Sequence, residues 1–457
     1  MFIKNIYYNN MIFLILPHQL FHIKYLKEYK DYDFYIYEHP HYFKKYKFNK
    51  KKLILHRASM KYYYDYMKDN DFKVRYFDFD EKPKLKEYIL FDPIDNFTGK
   101  YELHGSYEYI ETPNFLLTKE QYGKYREKTN KYMFTNFYMW SKKELDLYPT
   151  LKSKDKFNRE QFKKDLKVPK LPKISNEKYI ESAKKYVEKN FPKNYGNTDN
   201  FIYPIDHKTA KKWLLDFFKK RLKFFGPYQD FVQEGENYMF HSVLSSSINI
   251  GLINPSEIVK ELDKLKNNPK IKVNINSFEG YLRQLFWREY QRYTYIYVDY
   301  LNNDKLKYNY FGNRKKLTKD WYYGNLGIEP VDDMIKDGFN TGYLHHIGRL
   351  MFVGNFMNIY GIHPMEGFKW FMEFSIDSYE WVMCQNVLDM VFFCTGGMTM
   401  RKPYATSSNY VLKMSSYKYS ENKEWTKEWN NLYTNFLKKN KEKLWKFRYH
   451  FPTLKKL

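Results

Sequence analysis

The stretch from Gly342 to Val411 constrains this chain most. It reads GYLHHIGRLMFVGNFMNIYGIHPMEGFKWFMEFSIDSYEWVMCQNVLDMVFFCTGGMTMRKPYATSSNYV. Apolar and aromatic residues recur here at helical spacing, too densely for a solvated surface, so the stretch predicts a buried helical core. His345 and His346 open the first helical pattern. Arg349 follows His345 by four residues and Leu350 follows His346 by four, so each pair shares a helix face. A second helical pattern carries Trp370, Phe371, Phe374, Tyr379 and Trp381. Gly396 and Gly397 then precede the turn-prone Lys402-Pro403-Tyr404. Residue chemistry alone reads this as core, with histidines and aromatics acting as packing.

The first hundred residues have a different rhythm. Met11 to Leu16 is a short apolar run ended by Pro17, which predicts a buried strand. Leu16 to Phe21 (LPHQLF) crosses from that strand into a loop, where groups can face a ligand. Phe34–Glu38, Lys73–Phe79, Glu87–Phe91 and Tyr107–Glu111 read as further strands, and Leu53–Met67 as a helix. Strand, helix and strand in short alternation predict a parallel, Rossmann-like α/β sheet. No G-x-G-x-x-G follows the first strand, so the ordinary dinucleotide fingerprint is missing. Lys163–Lys173 is basic and holds Pro169 and Pro172, the mark of a linker. Tyr179–Lys189 reads as a charged surface helix. From Lys208 onward the pattern is helical, beginning with an amphipathic helix that Gly226 should end. The expected domains are 1–112 (α/β), 113–195 (connector) and 196–457 (all-α).

With 457 residues and 43% hydrophobic residues, the chain can build a sizeable core. Lys and Arg number 78 against 53 Asp and Glu, a formal net charge of +25. That excess favours a polyanionic partner, nucleic acid first; AT-biased coding, which enriches Lys, Tyr, Asn and Ile, accounts for part of it. The two cysteines, Cys384 and Cys394, cannot supply a four-thiolate site or a disulfide framework. No apolar run reaches the roughly 18 residues needed to span a bilayer. The start lacks a secretory signal, and Met11 could serve as an alternative start. An intracellular chain, cytoplasmic or nuclear and not secreted, is expected, with no membrane and as a monomer.

The order GYLHHIGRLM, GNFM, WFMEFSIDSYEWVM, NV, GG, KPY and SNY closely resembles the photolyase/cryptochrome superfamily. The nearest branch is that of the bacterial iron–sulfur (6-4) photolyases and their cluster-lacking relatives. PHQLF and KKKLILHRASMKYY resemble that branch's antenna-type amino-terminal domain, while PNFLLT (113–118) and FYMW (137–140) match connector landmarks. The family's Gly-Gly-Lys-Trp segment is replaced by residues 152–159 here.

The resemblance implies an α/β antenna-type domain followed by a large all-α domain that binds FAD. Tyr228, His241, Ser242, Val243, Leu244, Ser245 and Asn249 would form the cofactor's phosphate-binding segment. Gln284, Trp287, Arg288, His346, Arg349, Leu350, Asp377 and Tyr379 would line its cavity. From residue types alone, the serine cluster could be a turn, and Arg288 with Glu289 a surface ion-pair stretch. His345 and His346 would stand between flavin and lesion, and Trp370 and Tyr379, with Trp321 or Tyr322 outside, would relay electrons. Cysteines that hold the cluster in relatives correspond to Pro330, Lys418, Glu421 and Lys427, which carry no thiolate. No iron–sulfur cluster and no other metal is therefore expected, and Trp425 and Trp429 would fill part of that volume. An antenna chromophore in the first domain and a purely structural role for that domain are equal alternatives. The function implied is that of a (6-4) DNA photolyase, passing an electron from photoexcited reduced FAD to a flipped-out pyrimidine photoproduct. A blue-light photoreceptor without repair activity is the second reading, and a flavin-free basic DNA-binding protein the third.

Overall fold

The computed structural model describes residues 11–155, 158–160, 166–266, 273–301 and 308–457. The expected extension at 1–10, and parts of the 152–159 loop and of the 163–173 linker, lie outside the described residues. The chain forms two compact units interleaved in sequence. The first comprises Met1–Lys119, Leu171–Asp216 and Val243–Lys264; the second comprises Glu120–Lys170, Phe217–Ser242 and Leu265–Leu457. The expected stretches 1–112, 113–195 and 196–457 are thus redistributed, and the connector divides between the two units.

In the first unit five strands form one parallel sheet: β1 (Ile12–Ile15), β2 (Asp33–Tyr37), β3 (Val74–Phe77), β4 (Glu87–Phe91) and β5 (Ser106–Ile110). The order is β3-β2-β1-β4-β5, so the connections switch direction between β1 and β4. Phe13, Leu14, Phe34, Ile36 and Leu90 are fully buried, as expected of parallel strands covered on both faces. The helix Lys50–Lys68 buries Leu53, Ile54, Leu55, Ala58 and Met60 and packs against the helix Glu177–Asn190.

Open α/β sheets take ligands outside the carboxyl ends of the strands at such a switch point. Here the LPHQLF side chains are buried. Gln19 Nε2 donates to the Phe91 carbonyl at 2.6 Å, and His18 Nε2 lies 3.0 Å from the Pro93 carbonyl. They staple the loop after β1 to the loop after β4. Around them His18 meets Tyr42 with ring centroids 4.6 Å apart, and His41 and Tyr42 pack on Phe97.

The second unit is helical and is built on Ile275–Tyr297, which is buried along most of its length. It packs against the helices Leu222–Tyr228 and Phe134–Glu144. Arg288 and Glu289 are both buried there, so the surface ion-pair alternative does not hold. The buried carboxylates have donors: Tyr122 donates to Glu289 at 2.7 Å and Tyr138 to Glu279 at 3.0 Å.

Gly226 does not end the amphipathic helix. The helix His207–Lys220 stops at Arg221, and Gly226 lies inside Leu222–Tyr228. A Cβ on Gly226 would come within 2.7 Å of the Ser277 backbone nitrogen, so the glycine answers a close helix–helix approach. Among the described residues no helix is long and apolar enough to cross a membrane.

Candidate functional site

The core stretch folds as helices interrupted at its polar residues. The helix Glu329–Thr341 ends at Gly342, whose φ of +70° is a left-handed cap. The chain then places His345 and His346 at the start of the next helical turn, which continues as a π-helix over Gly348–Gly354. A second π-helix spans Cys384–Val391. Such wide turns recur at functional sites because they aim side chains that a regular helix would space differently. A Cβ on Gly354 would lie 2.6 Å from Val391 Cγ2 and 2.7 Å from the Arg349 carbonyl, so the two π-helices can meet only over a glycine.

The second helical pattern is likewise two pieces, Pro364–Phe374 and Glu380–Met383. The break is built from hydroxyls. Ser375 donates to Asp377, and Ser378 donates to the Met372 and Ser375 carbonyls at 3.0 and 2.9 Å. It presents Asp377 to Arg349. That pair is bidentate, with Nη1 to Oδ1 at 2.9 Å and Nη2 to Oδ2 at 3.1 Å, while Arg349 Nε donates to the Leu344 carbonyl. Two parallel charge-assisted bonds in a half-buried setting fix both groups in place.

Three histidines converge. His241 and His345 stack with centroids 4.6 Å apart and planes 16° apart, and His346 stands 5.8 Å from His241. His241 Nε2 lies 3.2 Å from the Gln229 carbonyl and His346 Nε2 lies 3.0 Å from Asp230 Oδ1. Burial first, then the charge of His346, lowers His241 to about 3. Burial, the other two histidines and Arg349 hold His345 well below its usual range. Burial alone would raise Asp230; the hydrogen bond and charge of His346, together with Arg159 at 3.0 Å, outweigh it and keep the carboxyl ionised. Asp230, rather than Arg349, is therefore the charged partner of His346.

The other expected residues are placed as follows. Gln284 donates to Gln229 at 3.4 Å, which links it to the histidine group. The Arg288 guanidinium lies over the Trp381 ring at 4.8 Å, and burial pushes it down to about 10. Trp287 stacks on Phe134, with centroids 3.6 Å apart. Leu350 is half-buried in the first π-helix and Tyr379 is buried just before Glu380–Met383. Tyr228 packs with Phe231, Met239 and Phe240 in a small apolar cluster. Trp370 is fully buried, and its Nε1 donates to the Trp321 carbonyl at 2.6 Å.

The segment expected at the cofactor phosphates is divided: His241 and Ser242 belong to the second unit, and Val243, Leu244, Ser245 and Asn249 to the first. Ser246 and Ser247 are buried, whereas Ser242 and Ser245 are half-buried.

Gln229 and Asp230 were not among the residues singled out by sequence. Their one signal is position, directly after Tyr228 in the PYQD turn. Within the second unit Gln229 Nε2, His241 Nδ1 and His345 Nδ1 are buried without a hydrogen-bond partner among the described residues. Buried polar atoms of this kind are costly unless a ligand meets them. With the fixed Arg349–Asp377 pair beside them, these residues fit a large polar cofactor such as a flavin.

Comparison with known proteins bears on the same region. Residues 13–91 and 84–203 match a family described as deoxyribodipyrimidine photo-lyase-related protein, and residues 281–451 match the FAD binding domain of DNA photolyase. The (6-4) photolyase of Agrobacterium fabrum is 33% identical over 300 residues, which covers 64% of this chain and 58% of that relative. The match thus spans less than two thirds of the relative's length. A class III photolyase from Agrobacterium tumefaciens shares the fold with a TM-score of 0.57 at 14% identity, over 93% of this chain and 88% of that one. A cryptochrome from Synechocystis does so with a TM-score of 0.62 at 14% identity, over 92% and 88%.

Proposed function

Because the chain belongs to the photolyase/cryptochrome superfamily, in the branch of the bacterial (6-4) photolyases, we propose that it is a FAD-dependent enzyme that repairs (6-4) photoproducts in DNA under light. The observation that carries this reading is the His345–His346 pair in one unit with the bidentate Arg349–Asp377 pair. When bound, FAD supplies a light-driven electron. Arg349, Asp377 and Gln284 would hold it, and the fixed guanidinium–carboxylate pair would set the charge around it.

His346 would move the proton. The ionised Asp230 carboxylate can only accept, so Nε2 of His346 carries its hydrogen and Nδ1 becomes the atom through which a proton is given and reclaimed. Electron donation alone does not mend a (6-4) lesion, because a hydroxyl-type group must return to its original base, and that return needs a placed proton donor. Lysine and arginine, in an excess that gives +25 overall, would hold damaged DNA by salt-sensitive phosphate contacts. The lesion would be turned out of the duplex to reach the site. For an antenna pigment, the first unit offers a cleft of 820 Å³ lined by His22, Tyr62, Tyr66, His207 and several lysines. With two cysteines in the chain, no four-thiolate iron–sulfur cluster is proposed.

A second reading, a blue-light photoreceptor, is favoured by the π-helix Cys384–Val391. Its Asp389 is buried and accepts hydrogen bonds from Tyr300, Thr395 and Thr399.

The test uses defined oligonucleotides carrying (6-4) or cyclobutane lesions, with purified protein whose flavin is chemically reduced. Illumination should restore the (6-4) strand. His346→Ala should abolish repair while FAD and DNA affinity survive, since phosphate contacts dominate binding. The protein should purify yellow and free of iron. Repair of cyclobutane dimers alone would reassign the substrate. Normal flavin photoreduction with no repair would move the assignment to the photoreceptor.

A further inference from the structure

We propose that His241, His345 and His346 bind one divalent transition-metal ion of the zinc class, with an open fourth position. One ring nitrogen of each lies within 4.8 Å of the other two. A tetrahedral zinc with bonds of about 2.0–2.1 Å needs its ligand nitrogens about 3.3 Å apart. Metal binding would therefore draw the three rings together, with His346, the one at 42% side-chain exposure, having the most room to adjust.

Proton placement points the same way. The Gln229 carbonyl and the Asp230 carboxylate can only accept, so Nε2 of His241 and Nε2 of His346 must donate to them. Each ring is therefore held in the tautomer that leaves a lone pair on Nδ1. Gln229 and Asp230 are adjacent in the chain, so one turn orients both rings. A metal-bound histidine almost always donates its outer N–H to a carboxylate or a carbonyl in this manner.

The orphan atoms, which the flavin reading also draws on, are a second observation. Among the described residues Nδ1 of His241 and Nδ1 of His345 have no hydrogen-bond partner, and the two residues are only 7% and 5% exposed. Three imidazoles, each with a ring nitrogen this close to the other two, form a ligand set for a cation. Nitrogen-only ligation without sulfur fits zinc, copper or nickel rather than magnesium or calcium. Two rings are buried and one is open, which leaves access for a water or another ligand at the fourth position.

The binding claim stands apart from the flavin and repair reading. Its consequence rests on that reading: a metal on the His346 lone pair removes the proton carrier, so metal and repair exclude one another.

The test uses untagged full-length protein stripped with EDTA, with flavin content fixed separately by its own absorbance. Titration with Co²⁺ should give visible bands of a four-coordinate site saturating at one equivalent, and Zn²⁺ should displace it. His241→Ala should weaken Co²⁺ binding at least about tenfold, and the near-isosteric Asp230→Asn by about 10–100-fold, with thermal unfolding of the metal-free variants run alongside. Absence of saturable one-equivalent binding to the parent chain would overturn the proposal, as would affinity in both variants equal to that of the parent chain. Zn²⁺ should also stop repair, and EDTA should restore it. A chain that binds metal but never repairs DNA loses only the repair reading. One that repairs DNA and binds no metal loses only this one.

Discussion

Trp370 shows what a single side chain does at this site. It is fully buried, meets Phe339, Phe371 and Phe374 at ring separations of 5.5, 5.1 and 4.7 Å, and donates to the Trp321 carbonyl. Trp321 in turn packs its ring on Phe356 and Tyr360, each 5.8 Å away. Ring contacts thus lead from Trp370 through Phe339 to Tyr322, at 5.5 and 5.8 Å, whereas Trp321 is joined to Trp370 by its backbone carbonyl and continues to the half-buried Tyr360. Tyr322, the other candidate for the outer step, spends its hydroxyl on Glu373 at 2.9 Å. Trp370→Phe should slow photoreduction of oxidised FAD and leave FAD binding intact. It should also cost about 1–3 kcal/mol of stability, from a small cavity and one carbonyl left without its donor. Transient absorption after a flash reads the first effect and denaturant unfolding the second. Unchanged photoreduction would hand the electron to another aromatic.

At the scale of elements, the periodic parts of the chain were legible and the interruptions were not. Every expected strand formed, with ends within two residues, because each carries aromatic or β-branched residues in a short run or in alternation. The breaks at Arg221 and Ser375 leave no such trace. Beyond the first, Gly226 lies close against Ser277, and beyond the second Asp377 pairs with Arg349. Tertiary partners stand at both, and helical spacing continues straight through them in the sequence. The His345–His346 pair could be read directly, but its meeting with His241 and Asp230 could not, since more than a hundred residues separate them. Gly354 belongs to this scale. Gly354→Ala would push a methyl into Val391 and into the Arg349 carbonyl, and should destabilise by about 1–3 kcal/mol while loosening the Arg349–Asp377 pair. Gly123→Ala is the control, since its nearest neighbour would be the Tyr297 hydroxyl at 3.8 Å in an ordinary helix. It should stabilise by about 0.5–1 kcal/mol. Paired urea unfolding curves separate the two, and equal shifts would deny that the π-helices need the glycine.

For the molecule as a whole, the first unit carries an unusual load of buried histidine. Burial lowers His18 and His39 to about 3, His41 to about 2 and His207 to about 4, all from an ordinary value of 6.5. The folded rings are therefore neutral where the unfolded chain would take up protons. With the folded values depressed, the unfolded state binds more protons below about pH 6.5, so stability is full above that point and falls as the pH drops toward 4. Each ring contributes a slope of up to about 1.4 kcal/mol per pH unit. Four rings together could exhaust a typical domain stability of about 5–15 kcal/mol within about one to three pH units. The first unit should therefore lose its protection on mild acidification, near about pH 4–5. Hydrogen exchange at the β1, β2 and β4 amides, followed against pH, measures this directly. His39 offers the decisive variant. Its Nδ1 accepts from the His41 amide at 3.3 Å and so caps the helix Pro40–Lys44. Asparagine is among the best residues for that position, so His39→Asn keeps the cap and removes the titrating group. The pH slope of stability should fall by about one proton, roughly 1.4 kcal/mol per pH unit, with stability at pH 8 nearly unchanged. An unaltered slope would mean that His39 takes up its proton in the folded state as readily as in the unfolded one, and that burial at the ends of β1 and β2 does not govern acid sensitivity.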